Sequence, residues 1–99
     1  MALRLSRGYN LYMKEWCVYI VECSDKSLYT GVSNYLAGRI ELHNKGKGAN
    51  YTKARRPVKL LYFESADTYS QALKREAQIK KWSRLVKLSL IKNGRTGIE

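Results

Sequence analysis

Apolar and polar positions change rhythm several times along the 99 residues of this chain. Residues 16–23, WCVYIVEC, form a nearly unbroken run of β-branched and aromatic side chains, and the polar cluster SDKS follows at 24–27. The run predicts a strand and the cluster a turn. Strand character resumes over 28–32, LYTGV, so the two segments read as an antiparallel hairpin whose register the loop composition leaves open. The period then becomes helical. Leu36, Arg39, Ile40 and His43 fall at i, i+3, i+4 and i+7, which places two charged or titratable side chains on the face that Leu36 and Ile40 turn inward. Asn34 or Ser33 is the expected N-cap of this helix, and Gly46 and Gly48 stop it after about Asn44. Periodicity is lost over 45–59, which reads as a loop, and Pro57 opens a third strand over 58–64. Asp67 or Thr68 can cap a second helix over 69–81. A third follows Ser83 and is expected to end at Asn93 and Gly94 through a left-handed stop. The order β-β-α-β-α-α belongs to the α/β (α+β) class, with helices packed on a small sheet.

Length confines this pattern to one domain, expected over 16–94, with a loosely ordered lead-in over 1–15 and a tail over 95–99. Met13 offers an alternative start for the folded unit. The lead-in MALRLSRGYNLYMKE lacks the apolar segment and small residues of a secretion signal. With 44% apolar and 11% aromatic residues, the chain is neither a disordered low-complexity segment nor a collagen-like fibre. No apolar run approaches the roughly twenty residues of a membrane helix, so a soluble protein is expected. Cys17 and Cys23 share one predicted strand, about 20 Å apart, too far to bridge. Two free thiols suggest a reducing cytoplasm, and without a CxxC or Cys/His cluster they read as buried small hydrophobes rather than metal ligands.

Charge changes the picture most. Nineteen Lys and Arg against eight Asp and Glu leave a formal charge of +11, which implies a polyanionic partner: nucleic acid first, an anionic membrane surface second. Six bases and no acid occupy 45–59, with Tyr51 among them, and eight more lie between Lys74 and Arg95. The first stretch reads either as a solvated connection or as a loop that tracks phosphates. In the second, Glu76 is the only acid, and its spacing beside Ala72, Leu73 and Ile79 aims it towards the protein. It is either an i,i+4 partner for Lys80 or a carboxylate reserved for a hard cation. The membrane alternative weakens because no lipid-facing amphipathic segment accompanies the charge.

Three features converge: a hairpin carrying Tyr19 and Tyr29, a helix presenting Arg39 and His43 a turn apart, and one inward carboxylate in a basic helix. Together they resemble the GIY-YIG nuclease family. Its first signature element stands here as Cys17, Val18 and Tyr19, its second as Tyr29, Thr30 and Gly31, with nine residues, 20–28, between the tyrosines. NYLAGRIELH resembles the family's first helix, Glu76 matches its metal-binding glutamate, and HNKGKGANYTKARRPVKLLY resembles its short stand-alone bacterial members. The resemblance covers about residues 16–84. Cys17 replaces the first glycine and Thr30 the second isoleucine, and neither position supplies a catalytic side chain. The family's late polar residue has only Asn93 as a candidate by type, and that residue reads better as a helix stop.

The resemblance implies a three-stranded antiparallel sheet flanked by helices and a metal-dependent endonuclease that hydrolyses phosphodiesters with one Mg²⁺ or Mn²⁺ ion. DNA is the favoured substrate, selected by structure rather than sequence, in repair, recombination or processing. A tyrosine titrates near pH 10, so service as a base near neutrality requires cations to stabilise its phenolate. Tyr29 or Tyr19 is assigned as the base and hydrogen-bonding partner, Arg39 as the phosphate clamp through its planar fork, and Glu76 as the metal ligand. His43 alone reads equally as a buried structural histidine; the resemblance places it in the active site. Lys45, Lys47, Tyr51, Thr52, Lys53, Arg55 and Arg56 are assigned to nucleic-acid backbone contacts. Trp82 reads as core packing, and Gly31 as a point of close approach of backbone or substrate, or as an edge bulge. The alternatives are a non-catalytic nucleic-acid-binding module and a subunit completed by a protein partner.

Overall fold

A computed structural model describes residues 12–96. The chain order is β1 (Cys17–Glu22), β2 (Leu28–Ser33), α1 (Leu36–Asn44), α2 (Asn50–Lys53), β3 (Lys59–Ser65), α3 (Tyr69–Lys80) and α4 (Arg84–Thr96). The strands form one antiparallel sheet in the order β2-β1-β3. Much of the expected lead-in lies outside the described residues, as does the tail beyond residue 96.

β1 is central, and residues 17–21 are all fully buried. One face, Cys17, Tyr19 and Val21, packs with Leu36, Val58 and Phe63; the other, Val18 and Ile20, packs with Tyr62, Ala72, Ile79 and Ile91. A strand covered on both faces has no reason to alternate, which explains the continuous apolar run. On β3 the register shifts opposite Ile20 and Val21, whose partners are Tyr62 and Leu60, leaving Leu61 as the extra residue. Both cysteines are buried free thiols.

The hairpin aligns Tyr19 with Gly31 and Val21 with Tyr29. Its turn is held by the Asp25 carboxylate, which accepts from the Ser27 N–H at 3.0 Å and from the Ser27 hydroxyl. At the end of α1, Gly46 takes a left-handed φ of 79°, its N–H donates to His43 C=O, and Lys47 N–H donates to Leu42 C=O at 2.8 Å. This pair of bonds is a Schellman stop built on the expected glycine. Thr68 caps α3 by accepting from Gln71 N–H at 3.1 Å.

Three local expectations are corrected. The N-cap of α1 is Tyr35, whose N–H donates to Ser33 Oγ at 2.9 Å, so Ser33 supports the cap from two residues upstream. The segment over 45–59 is not all loop, because one helical turn, α2, forms within it. Four residues are too few to show a period. Finally, α4 does not stop at Asn93 and Gly94 but runs to Thr96. Gly94 lies against the Tyr62 ring, where an added Cβ would sit 2.5 Å from a ring carbon, so this glycine serves helix-to-sheet contact.

Candidate active site

Tyr19 lies on β1, Tyr29 on β2, Arg39 and His43 on α1 and Glu76 on α3. Tyr19, Tyr29, Arg39 and Glu76 line one cleft of about 560 Å³. Trp16, Tyr35, Tyr69 and Leu73 add apolar surface at its walls. His43 is fully buried behind the cleft and reaches it through Tyr19.

The centre of the arrangement is a buried polar chain. Tyr19 Oη lies 2.7 Å from His43 Nε2, and His43 Nδ1 lies 2.7 Å from Thr52 Oγ1. The Thr52 hydroxyl donates to Ala49 C=O at 3.1 Å, while Arg39 Nε donates to Tyr19 Oη at 3.4 Å. Proton counting orders the chain. A hydroxyl has one proton, so Thr52, donating to Ala49, accepts from His43 Nδ1–H. That leaves Nε2 with its lone pair, which accepts from the Tyr19 O–H. Every buried partner is then satisfied.

Burial holds both titrating groups in their neutral forms. It pushes the Tyr19 phenol up to about 12 despite the opposing pull of Arg39. It also pulls the His43 imidazole down to about 4, with the positive charge of Arg39 adding to the effect. At neutral pH the pair is therefore a phenol donating to a neutral imidazole.

Two glycines make room for this chain. A Cβ on Gly31 would lie 2.5 Å from Tyr19 Oη, so the group that approaches Gly31 is the side chain of the tyrosine opposite it, not the expected backbone or substrate. Gly48 brings backbone against the His43 ring, leaving no space for a Cβ. Tyr29 closes another side of the imidazole, edge to face with ring centres 5.4 Å apart.

Glu76 has a side chain only 18% exposed and pairs with Lys80 Nζ at 3.1 Å, the i,i+4 partnership expected of it. Among the described residues no group of three or more His, Cys, Asp or Glu side chains comes together. A divalent ion in this cleft would be held by the Glu76 carboxylate alone among protein acids. That fits Mg²⁺ chemistry, in which one or two carboxylates are completed by water and substrate phosphate oxygens.

The basic loop divides. Lys45 pairs with Glu41 at 3.2 Å, and Arg55 pairs with Asp25 at 3.2 Å, donates to Tyr51 C=O and covers the Tyr51 ring at 3.9 Å. Arg56 donates to Lys53 C=O, and Tyr51 stacks on Tyr29 with ring centres 6.0 Å apart. Lys47 and Lys53 are exposed. The expectation for Thr52 is overturned, because it is fully buried and spends its hydroxyl on His43 and Ala49. Its role escaped sequence reading because it acts from a single turn nine residues beyond His43. Asn93 sits on the exposed side of α4 and does not line the cleft, whereas Trp82 packs against the core as expected.

Comparison with known proteins agrees with the fold. The GIY-YIG catalytic domain matches residues 15–89. A UPF0213 protein of Syntrophus aciditrophicus is 62% identical over 76 residues, which cover 76% of this chain and 87% of the relative. A UPF0213 protein of Staphylococcus aureus is 59% identical over 75 residues, covering 76% and 92%. A UPF0213 protein of Bacillus halodurans, solved by solution NMR, superposes with a TM-score of 0.54 at 36% identity, covering 81% of this chain and 85% of that one. The domain is that of nucleases, which act on nucleic acid and generally use a divalent metal. No helix among the described residues is long and apolar enough to cross a membrane. With three quarters of its length matched by the domain and by close relatives, the chain belongs to the GIY-YIG family, among its small stand-alone UPF0213 members.

Proposed function

We propose that this protein is a metal-dependent endonuclease that hydrolyses a phosphodiester of nucleic acid, DNA foremost, by backbone shape rather than base sequence, in DNA processing. The observation that carries the reading is the shared cleft of Tyr19, Tyr29, Arg39 and Glu76 with His43 hydrogen-bonded behind it. Hydrolysis needs an activated water, a clamp for charge on the phosphorus centre and neutralisation of the leaving oxygen.

Arg39 clamps the non-bridging phosphate oxygens with its guanidinium fork. Tyr19 is the base. Its oxygen takes a proton from the attacking water while its own proton passes to His43 Nε2. The water oxygen bonds to phosphorus as the bond from phosphorus to the leaving oxygen breaks. Imidazolium formation, disfavoured in the resting site, becomes easier once the phosphate charge offsets Arg39, one of the two causes of the depressed His43 titration. Thr52 holds the imidazole in the receiving tautomer, and Tyr29 fixes its ring and contributes a cleft hydroxyl. Glu76 is the metal ligand, and the ion, Mg²⁺ or Mn²⁺, supplies Lewis-acid stabilisation of the phosphate and leaving oxygen when bound.

The test is incubation of labelled single-stranded, nicked, branched and duplex DNA and RNA with either ion, wild type beside Glu76→Ala. Cleavage that requires the metal and vanishes in the variant supports the proposal. Salt-sensitive binding of the whole panel with no cleavage overturns it in favour of a binding module.

A further inference from the structure

A second recess, of about 230 Å³, opens at the free edge of the sheet. It is lined by Leu28, Tyr29 and Thr30 of the edge strand β2, by Tyr51 of α2, by Lys80 near the end of α3 and by Lys87 of α4. Tyr29 is the wall it shares with the catalytic cleft.

Three features make this recess an anion receptor. Two lysines from different helices, Lys80 and Lys87, line it, and no acid is among its lining residues. Its floor holds Thr30, 3% exposed, whose hydroxyl has no hydrogen-bond partner among the described residues. A buried hydroxyl left unpaired is unfavourable, and an arriving oxyanion, directly or through a water, removes that defect. Lys80 also ties the recess to the cleft, since its Nζ lies 3.1 Å from Glu76 and 5.9 Å from the centre of the Tyr29 ring.

We infer that Thr30, Lys80 and Lys87 form a phosphate subsite that holds the substrate strand next to the scissile phosphate. Glu76 and Lys80 stand four residues apart, about 6 Å along α3, so a strand whose scissile phosphate meets Glu76 can bring a neighbouring phosphate to Lys80. The Lys80 ammonium has three donors, so it can hold Glu76 and a phosphate oxygen together. The strand therefore runs over Tyr29 from the cleft to the sheet edge. This assignment of direction rests on the endonuclease reading, whereas the anion site itself does not.

The anion site is tested with inorganic phosphate alone, followed by backbone amide NMR of the full chain at constant ionic strength. Saturable shifts at Thr30, Lys80 and Lys87 are expected in the wild type and are lost in Lys87→Ala. Shifts confined to the Arg39 cleft, or shifts that Lys87→Ala leaves in place, overturn the site. The strand assignment is tested by binding a labelled single-stranded oligonucleotide in EDTA across a salt series. Lys87→Ala is expected to weaken binding several-fold and to reduce the slope of log K against log salt by about 0.7, one phosphate contact's worth. Equal slopes for wild type and Lys87→Ala overturn the assignment. Thr30→Val keeps the fold, as amide spectra will verify, and weakens phosphate binding; unchanged phosphate affinity removes Thr30 from the site. An uncut panel with an intact phosphate response refutes the endonuclease and leaves the anion site standing.

Discussion

The two faces of β1 carry the same burial and opposite chemistry. Behind Val18 and Ile20 lie Ala72, Ile79 and Ile91, an aliphatic contact edged by Tyr62. Behind Tyr19 lie His43 and Thr52, equally buried but joined by a relay of hydrogen bonds. Hydrocarbon tolerates any partner of the right volume, whereas the relay tolerates one proton arrangement. Both faces stabilise the domain, and the second also carries the titratable pair that borders the cleft.

The sharpest way to break this contrast is through the cleft. Glu76→Ala and Arg39→Ala are each expected to lower cleavage by about 10³-fold or more, equivalent to about 4 kcal/mol of barrier, while urea unfolding shifts little. A variant that loses activity only in proportion to lost folded protein would collapse the distinction. On the other face, Ile79→Ala is expected to cost about 2 to 5 kcal/mol of stability through an unfilled cavity, with the folded fraction still cutting normally.

The pH dependence separates the faces next. His43 titrates near 6.5 when unfolded and about 4 when folded, so the unfolded state binds the proton more readily between these values. Its contribution is full above about pH 6.5 and is lost as pH falls towards 4, a loss of about 3 kcal/mol that denaturant midpoints can follow. His43→Gln should flatten that dependence. Thr52→Val removes the acceptor of the Nδ1 proton at nearly constant volume, with an expected cost of about 1 to 3 kcal/mol and a fall in activity from the freed tautomer. The smallest effect belongs to the surface: Lys45→Ala breaks an exposed i,i+4 pair with Glu41 and should change stability by no more than about 0.5 kcal/mol.

Most of the elements were readable in advance. The apolar run of 16–23, the helical spacing of Leu36 and His43, the Thr68 cap and the Gly46 stop are local signals, and each appears at or within a residue of its expected place. Most of the cleft was readable too, because the tyrosines, Arg39 and Glu76 occupy positions whose order and spacing are distinctive. The relay was only half readable. His43 carried two readings, and its partners Tyr19 and Thr52 on the two ring nitrogens left no mark in the sequence. Thr52 was assigned to the wrong task because its neighbours are basic and exposed.

Gly94 marks the same boundary from the other side. An Asn-Gly pair late in a helix carries a strong local stop signal, yet α4 continues because that glycine fits against Tyr62. Basic residues within 45–59 likewise formed one charge block in sequence and separate in space, with Lys45 and Arg55 drawn into pairs with Glu41 and Asp25.

What the sequence by itself determined was the three strands, the three longer helices and their order, together with a set of candidate residues, because periodicity, capping and side-chain type act over a few residues. Only the tertiary structure decided which of those residues meet, which proton each carries and which charges remain available to a substrate. Those properties depend on burial and on partners distant in the chain: 24 positions from Tyr19 to His43, and nine from His43 to Thr52.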